Sequence, residues 1–267
     1  MNRRQLLCSV GALPSLGAAL SAAAEQKTEV KITGVETDLL KPPPGEPVYD
    51  ALQTLNDGDL SRFKRQVTEA IGQGYKAVKI KVGKYSLDDD IRRIRLALDI
   101  IGKERRLMVD ANQVFDRKEA LRRGRVYQEM GCFWYEEPLP PHDMEGFALL
   151  AEALDIRIAT GENLNTKYTF ADLIARRGAD VVQPDNRRAG GVSEWMEIAA
   201  IADGYGVEVA SHGGGATNLN MLLAMPNAIY METGGPVKMI DGEVLAPEEP
   251  GMSSEVSAGE IRKYRVG

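Results

Sequence analysis

Cysteine and histidine are nearly absent. Two cysteines, Cys8 and Cys132, and two histidines, His142 and His212, stand in 267 residues. That excludes a disulfide scaffold and leaves too few soft ligands for a zinc finger or an iron–sulfur cluster. An excess of positive charge is missing too. Lys and Arg number 33 against 39 Asp and Glu, and the formal charge of −6 argues against a nucleic-acid partner. Beyond residue 24 no apolar run approaches the length that crosses a bilayer, so no membrane span is expected. No Gly-x-Gly-x-x-Gly follows the first strand pattern, which speaks against a dinucleotide fold. The chain is otherwise 43% hydrophobic and 27% charged, values of a globular protein rather than a disordered or fibrous one.

Residues 1–24 read as a processing signal. Met1 to Gln5 is short and basic, Leu6 to Leu20 is weakly apolar, and Ala22-Ala23-Ala24 offers an A-x-A cleavage site. The Arg3-Arg4 pair resembles a bacterial twin-arginine signal and predicts export to the periplasm. Without a working signal the protein would be cytoplasmic.

The remainder alternates short apolar runs with helical patterns. Strands are predicted at 47–49, 77–82, 106–109, 133–135, 156–159, 181–182, 207–210 and 228–231. Helices are predicted between them at 60–71, 89–101, 118–130, 144–154, 169–176, 193–205 and 218–225. Alternation on this scale indicates βα units and a parallel sheet. Eight strands with seven intervening helices predict an α/β fold of the TIM type, a (β/α)7β barrel over 47–240, followed by a C-terminal segment at 241–267.

Active sites of such barrels lie at the C-terminal strand ends. Every predicted strand after the first ends there in an ionisable group. Asp110, Glu136 and Glu162 follow one another at intervals of 26 residues, one βα unit each, so three neighbouring strands present one carboxylate at the same height. Converging carboxylates repel unless a cation lies between them. All-oxygen ligation favours Mg²⁺, with Mn²⁺ as the alternative. Glu137, beside Glu136, is read as a helix cap or a support behind the ligands, and Asn112 likewise stands beside Asp110.

Lys79 and Lys81 are i and i+2 on the second predicted strand, so both point to one side of an otherwise apolar segment. Two neighbouring ammonium groups disfavour each other's charge, which predicts a lowered pKa and a usable base near neutral pH. His212 precedes Gly213-Gly214-Gly215, and Asp185, one strand earlier, is placed to hold its second ring nitrogen. His142 has no such partner and reads as structural.

Lys79-x-Lys81, Val109-Asp110-Ala111-Asn112, Glu136-Glu137-Pro138, Gly161-Glu162-Asn163, Pro184-Asp185, Gly190-Gly191, Ser211-His212 and Glu232 recur in an ordered set. That set resembles the mandelate racemase branch of the enolase superfamily, the mandelate racemase/muconate lactonizing enzyme family, over roughly residues 45–267. The resemblance implies that Lys81 is one base, His212 with Asp185 the other, and Asp110, Glu136 and Glu162 the Mg²⁺ ligands. It implies that Glu232, if protonated, hydrogen-bonds the substrate carboxylate, and that Arg188 supports the site near Asp185. The implied reaction is removal of a proton α to a carboxylate. Dehydration of a sugar acid is the favoured outcome, with racemisation or epimerisation as alternatives.

The resemblance also carries a departure. Its members share an N-terminal α+β capping domain of roughly a hundred residues. Here 25–46 matches only a first strand, at 30–37, and a proline-rich linker at 41–46, so a vestigial cap is expected. Two readings follow. One is a Mg²⁺-dependent lyase or racemase whose barrel mouth a neighbouring subunit of a homo-oligomer closes. The other is a cap-deleted barrel, or incomplete gene product, that binds metal without catalysis.

Overall fold

Helix starts are written into the chain as side-chain caps. In the computed structural model, which describes residues 59–233, 239–240, 243–244 and 262, Asp59 accepts hydrogen bonds from the main-chain nitrogens of Ser61 and Arg62 at the head of α1 (Leu60–Gly72). Ser86 caps α2 (Leu87–Ile101), and its hydroxyl also donates to Asp89 Oδ2 at 2.6 Å. This reciprocal cap begins the helix two residues before the apolar pattern alone places it. Asp116 and Asp143 cap α3 (Arg117–Glu129) and α4 (Met144–Ala153) in the same manner. The remaining helices are α5 (Thr166–Ala175), α6 (Val192–Gly204) and α7 (Ala216–Ala224).

Between them run β1 (Ala77–Lys81), β2 (Arg106–Asp110), β3 (Trp134–Glu136), β4 (Arg157–Thr160), β5 (Val181–Val182), β6 (Glu208–Ala210) and β7 (Ala228–Tyr230). All seven pair in parallel and in chain order, as right-handed βα units require. The sheet is curled. Lys79 of β1 reaches Glu232, two residues past β7, at 3.1 Å, and Thr233 donates to the Tyr75 hydroxyl just before β1 at 2.8 Å.

Alternation along each strand sorts side chains into two cores. Val78, Ile80, Leu107, Val109, Tyr135, Ile158, Val182 and Val209 face outward into a large apolar layer shared with the helices. Met108, Trp134, Ala159, Val181 and Ala210 face inward and pack with Tyr230 and Phe133. The interior is therefore a filled plug, as in a (β/α) barrel, and the polar groups stand above it.

The expected strand at 47–49, the signal at 1–24 and the cap remnant at 25–46 lie outside the described residues. Apart from Arg262, the described residues belong to one compact unit, Pro44–Ala258. Two further short strands, β8 (Met239–Ile240) and β9 (Glu243–Val244), pair antiparallel. No described helix is long and apolar enough to cross a membrane.

Cys132 lies buried in the outer core, and burial pushes its thiol up to about 12. At pH 8 such a group is thiolate in only about one molecule in ten thousand. Native protein is expected to leave Cys132 unmodified by a thiol-alkylating reagent, and urea-unfolded protein to react. Peptide mass spectrometry that finds Cys132 alkylated equally in both states would contradict this packing.

Candidate metal and proton-transfer site

The parallel register sets the height of the first two carboxylates. Asp110 ends β2 opposite Lys81, and Glu136 ends β3 opposite Asp110. Each is an i+2 partner of an inward-facing residue, Met108 or Trp134, so both point into the barrel. Glu162 follows β4 after Gly161, whose φ is +137°. A Cβ on Gly161 would stand 2.8 Å from the Phe170 ring and 3.0 Å from the Gln183 main-chain nitrogen, so only glycine fits before this carboxylate.

Asp110, Glu136 and Glu162 are all buried and offer oxygens that lie within 4.8 Å of one another. An all-carboxylate donor set suits a hard divalent cation. Burial, with Asp110 adding to it, holds Glu136 well above the ordinary carboxylate range, despite the opposing ammonium of Lys79. That is the cost of crowded carboxylates, and a cation relieves it. The indole N–H of Trp134 donates to Glu136 Oε2 at 3.0 Å and fixes its orientation from the interior plug.

Lys79 donates to Glu136 Oε1 at 2.7 Å and lies 3.1 Å from Glu232 and 3.8 Å from Asp110. Lys81 donates to Asp110 Oδ2 at 2.5 Å. The lowered lysine pKa expected from mutual repulsion is not found. Burial lowers both, but for Lys79 the fields of Glu136, Glu232 and Asp110 outweigh it and hold the group well above its usual value. For Lys81 burial again comes first, then Asp110 opposes and overcomes both burial and the repulsion of Lys79. The carboxylates, not the second lysine, dominate each ammonium.

Asp185, past β5, accepts from His212 Nδ1 at 2.7 Å, as the expected pairing requires. The proton is thereby fixed on Nδ1, and Nε2 turns into the site 3.4 Å from Glu162 Oε2. Burial would raise the Asp185 carboxyl, but hydrogen bonds from Arg187 and His212 hold it well below its usual range. Asn218 Nδ2 donates to the carbonyls of Gly213 and Gly214, both at 2.9 Å, and orders the loop after His212.

Glu232 differs from the expected protonated donor. Burial favours that form, yet Lys79 and the main-chain N–H of Gly213, at 2.8 Å, bring its carboxyl down to about 2. It is a carboxylate that accepts. Arg188 stands beside Asp185, to whose carbonyl its main-chain N–H donates at 3.1 Å. Its guanidinium donates to the Glu162 carbonyl at 3.1 Å and Asn163 Oδ1 at 2.6 Å. The arginine on Asp185 is Arg187, at 2.9 Å, because the Asp185 side chain also accepts the Arg187 main-chain N–H and folds that residue back.

Glu137 is buried and accepts from Gln113 at 3.0 Å and Asn163 at 2.9 Å, a supporting place behind Glu162. Asn112 is exposed at the rim, with its main-chain N–H on Asp110 Oδ1 at 2.9 Å. His142 is exposed in its loop. Trp134, Arg187, Gln113 and Asn218 were not predicted from the sequence. Of these only Trp134 carried a signal, its i, i+2 relation to Glu136.

Asp185 generates a pH expectation. Its folded pKa lies below its unfolded value, so its stabilisation is present above about pH 4 and is lost as pH falls toward the lower folded value. Urea denaturation between about pH 6 and 2 should show stability falling more steeply with acid in the wild type than in Asp185→Asn. Identical slopes would refute the depressed carboxyl.

Comparison with known proteins agrees with this architecture. The model of the enolase C-terminal domain-like family matches residues 62–260. L-talarate/galactarate dehydratase of Salmonella typhimurium is 38% identical over 173 residues, covering 65% of this chain and 44% of that protein. Arabinonate dehydratase of Saccharolobus solfataricus is 28% identical over 226 residues, covering 78% of this chain and 60% of that one. The structure of L-talarate dehydratase from Polaromonas sp. JS666, complexed with Mg and L-glucarate, superposes with a TM-score of 0.72 at 31% identity, over 77% of this chain and 60% of that one. The chain thus spans about half the length of these relatives, between 44% and 60%. With its family match on a curled parallel sheet of consecutive βα units, the chain belongs to the enolase superfamily through its C-terminal-domain-like barrel.

Proposed function

We propose that the protein removes a proton α to the carboxylate of a sugar acid, in the manner of the mandelate racemase branch, and that dehydration is the outcome. One observation carries this reading. Lys81 meets the row Asp110–Glu136–Glu162 at its Asp110 end, and His212, backed by Asp185, meets it at its Glu162 end. Two groups that exchange protons thus flank a single place for a cation and the anion it holds.

Asp110, Glu136 and Glu162 would hold Mg²⁺, which supplies Lewis-acid charge that makes a carboxylate's α-hydrogen acidic enough to remove. With a cation on Asp110, the carboxylate that raises the Lys81 pKa would be shared with it, and Lys81 could then act as base. Lys79, held as an ammonium between Glu136 and Glu232, presents a positive charge to the substrate carboxylate. His212 Nε2 takes the other side. Dehydration balances as loss of the α-proton to the base and loss of the β-hydroxyl as water, with the enol passing to a 2-keto acid. When it starts as the imidazolium, with one proton held on Nδ1 by Asp185 and the second on Nε2, His212 supplies from Nε2 the proton that the leaving hydroxyl needs. Asn112 and Arg188 stand at the rim, where substrate hydroxyls would pass. The relatives named as dehydratases, and the Mg and L-glucarate in a related structure, support a sugar acid as substrate and Mg²⁺ as the metal.

Glu162→Gln should weaken Mg²⁺ binding by about tenfold or more, because an anionic ligand is lost from a hard cation. Titration calorimetry with unchanged affinity would remove Glu162 from the ligand set. For the two bases, NMR of acid sugars in deuterated buffer is decisive. Lys81→Ala should abolish α-proton exchange for one α-configuration. His212→Asn should keep that exchange and block product formation, and the two variants should exchange roles for the opposite configuration. Full exchange by Lys81→Ala with both configurations would defeat the two-base reading. Mg²⁺ binding without exchange or product from any acid sugar would leave a metal-binding barrel without catalysis.

A further inference from the structure

Behind β1, on the side away from the carboxylates, lies a second cluster of charges that the proposed reaction does not use. Asp90 is fully buried, and Arg93 and Arg123 are 3% and 7% exposed. Asp90 and Arg93 stand on α2 at i, i+3, and Arg123 and Tyr127 on α3 at i, i+4, so each pair shares one helix face. Asp90 Oδ2 accepts from Arg123 at 2.7 Å, from the Tyr127 hydroxyl at 3.1 Å and from the main-chain N–H of Gly83 at 2.9 Å. Arg93 lies 3.8 Å from Asp90 Oδ1, packs its guanidinium 5.1 Å above the Phe63 ring, and donates to the main-chain carbonyl of Lys81 at 2.8 Å. The network therefore grips the chain on both sides of Val82, at Lys81 and at Gly83.

Ion pairs taken out of water add little stability compared with apolar side chains of the same volume, so their energy alone does not account for this cluster. Its reach does. Of the two inward-facing lysines on β1, the cluster holds the main chain of Lys81. A proton-transfer group displaced by about 1 Å loses about a hundredfold in rate, so the anchoring of its main chain matters to chemistry.

We propose that Arg93, braced by Asp90, is a positioning residue for Lys81. It fixes the carbonyl at the end of β1 so that Nζ stays at the Asp110 end of the carboxylate row. The proposal rests on the assignment of Lys81 as a base made above.

The test uses the full chain with Arg93→Met, which keeps length and loses every donor, and Arg93→Lys, which keeps one cationic donor. Arg93→Met should bind Mg²⁺ as the wild type does. Its kcat for α-proton exchange should fall about a hundredfold for the configuration served by Lys81, with KM little changed and the His212-served configuration spared. Arg93→Lys should recover most of that loss. A merely structural role would lower the melting temperature and depress both configurations alike, and that result, or no loss at all, would overturn the proposal. If Arg93→Met does not fold, the same readouts on Arg93→Lys decide it, with an intermediate, configuration-specific loss expected. If the wild type exchanges no acid sugar, the base assignment fails by itself. The positioning is then judged from crystal structures of wild type and variant. A Lys81 carbonyl and Nζ displaced by about 1 Å uphold it, and unmoved atoms overturn it.

Discussion

Three carboxylates buried side by side cannot all stay ionised without positive charge beside them, and that demand organises the strand ends. Glu232 makes the local acids four, while Lys79 and Lys81 supply two positive charges within hydrogen-bonding or ion-pair distance. Four against two leaves two negative charges, the charge of one divalent cation. The lysines are thus part of the carboxylate cluster's electrostatics before they are part of any reaction. They are buried, engaged with the carboxylates, and raised in pKa by them.

The layer beneath explains why these charges hold their places. Trp134 stacks edge-on against Tyr230, with centroids 5.8 Å apart, and its N–H reaches up to Glu136. Phe133, one layer lower, carries Arg106 at 4.1 Å and Arg157 at 4.5 Å over its ring. From the N-terminal to the C-terminal end of the strands the interior passes from stacked cations, through an apolar plug, to the carboxylates. The plug keeps water from the underside of the site and ties its ligands to the most rigid part of the molecule. This division places stability at one end of a barrel and chemistry at the other.

Much of this could be read before any coordinates. Seven of the predicted strands and all seven helices appear within a few residues of their expected places, because strand alternation and helix periodicity are local signals. The carboxylate trio was legible from one regular interval, since equal βα units put equal residues at equal height. The His212–Asp185 pair was legible for the same reason. What failed depended on side-chain direction or on the summed field. Arg187 and Arg188 are adjacent, and only the turn made by the Asp185 side chain decides which of them bends back. The sign of the lysine shifts depended on how closely three acids approach, which no spacing reveals. Asp90 and Arg93 passed unnoticed because a charged pair in a helix usually reads as a solvated face.

The last constraint is in the backbone. Asn112, Gln113 and Glu137 all adopt positive φ, at 44°, 68° and 40°, a region that residues other than glycine enter at a cost. All three lie immediately past β2 or β3, directly after the carboxylates. The Gln113 N–H donates to the Glu137 carbonyl at 2.7 Å, and the Glu137 N–H to the Ala159 carbonyl at 2.9 Å, so these two conformations are tied to the next strand, while the Asn112 N–H is held by Asp110 Oδ1 at 2.9 Å. The sharp turn sends the chain away from the site at once. Glu137 is thereby turned aside from Glu136 to accept from Gln113 and Asn163 behind Glu162. The strain at Gln113 and Glu137 is sustained by the same ladder of strands that sets the carboxylates' height.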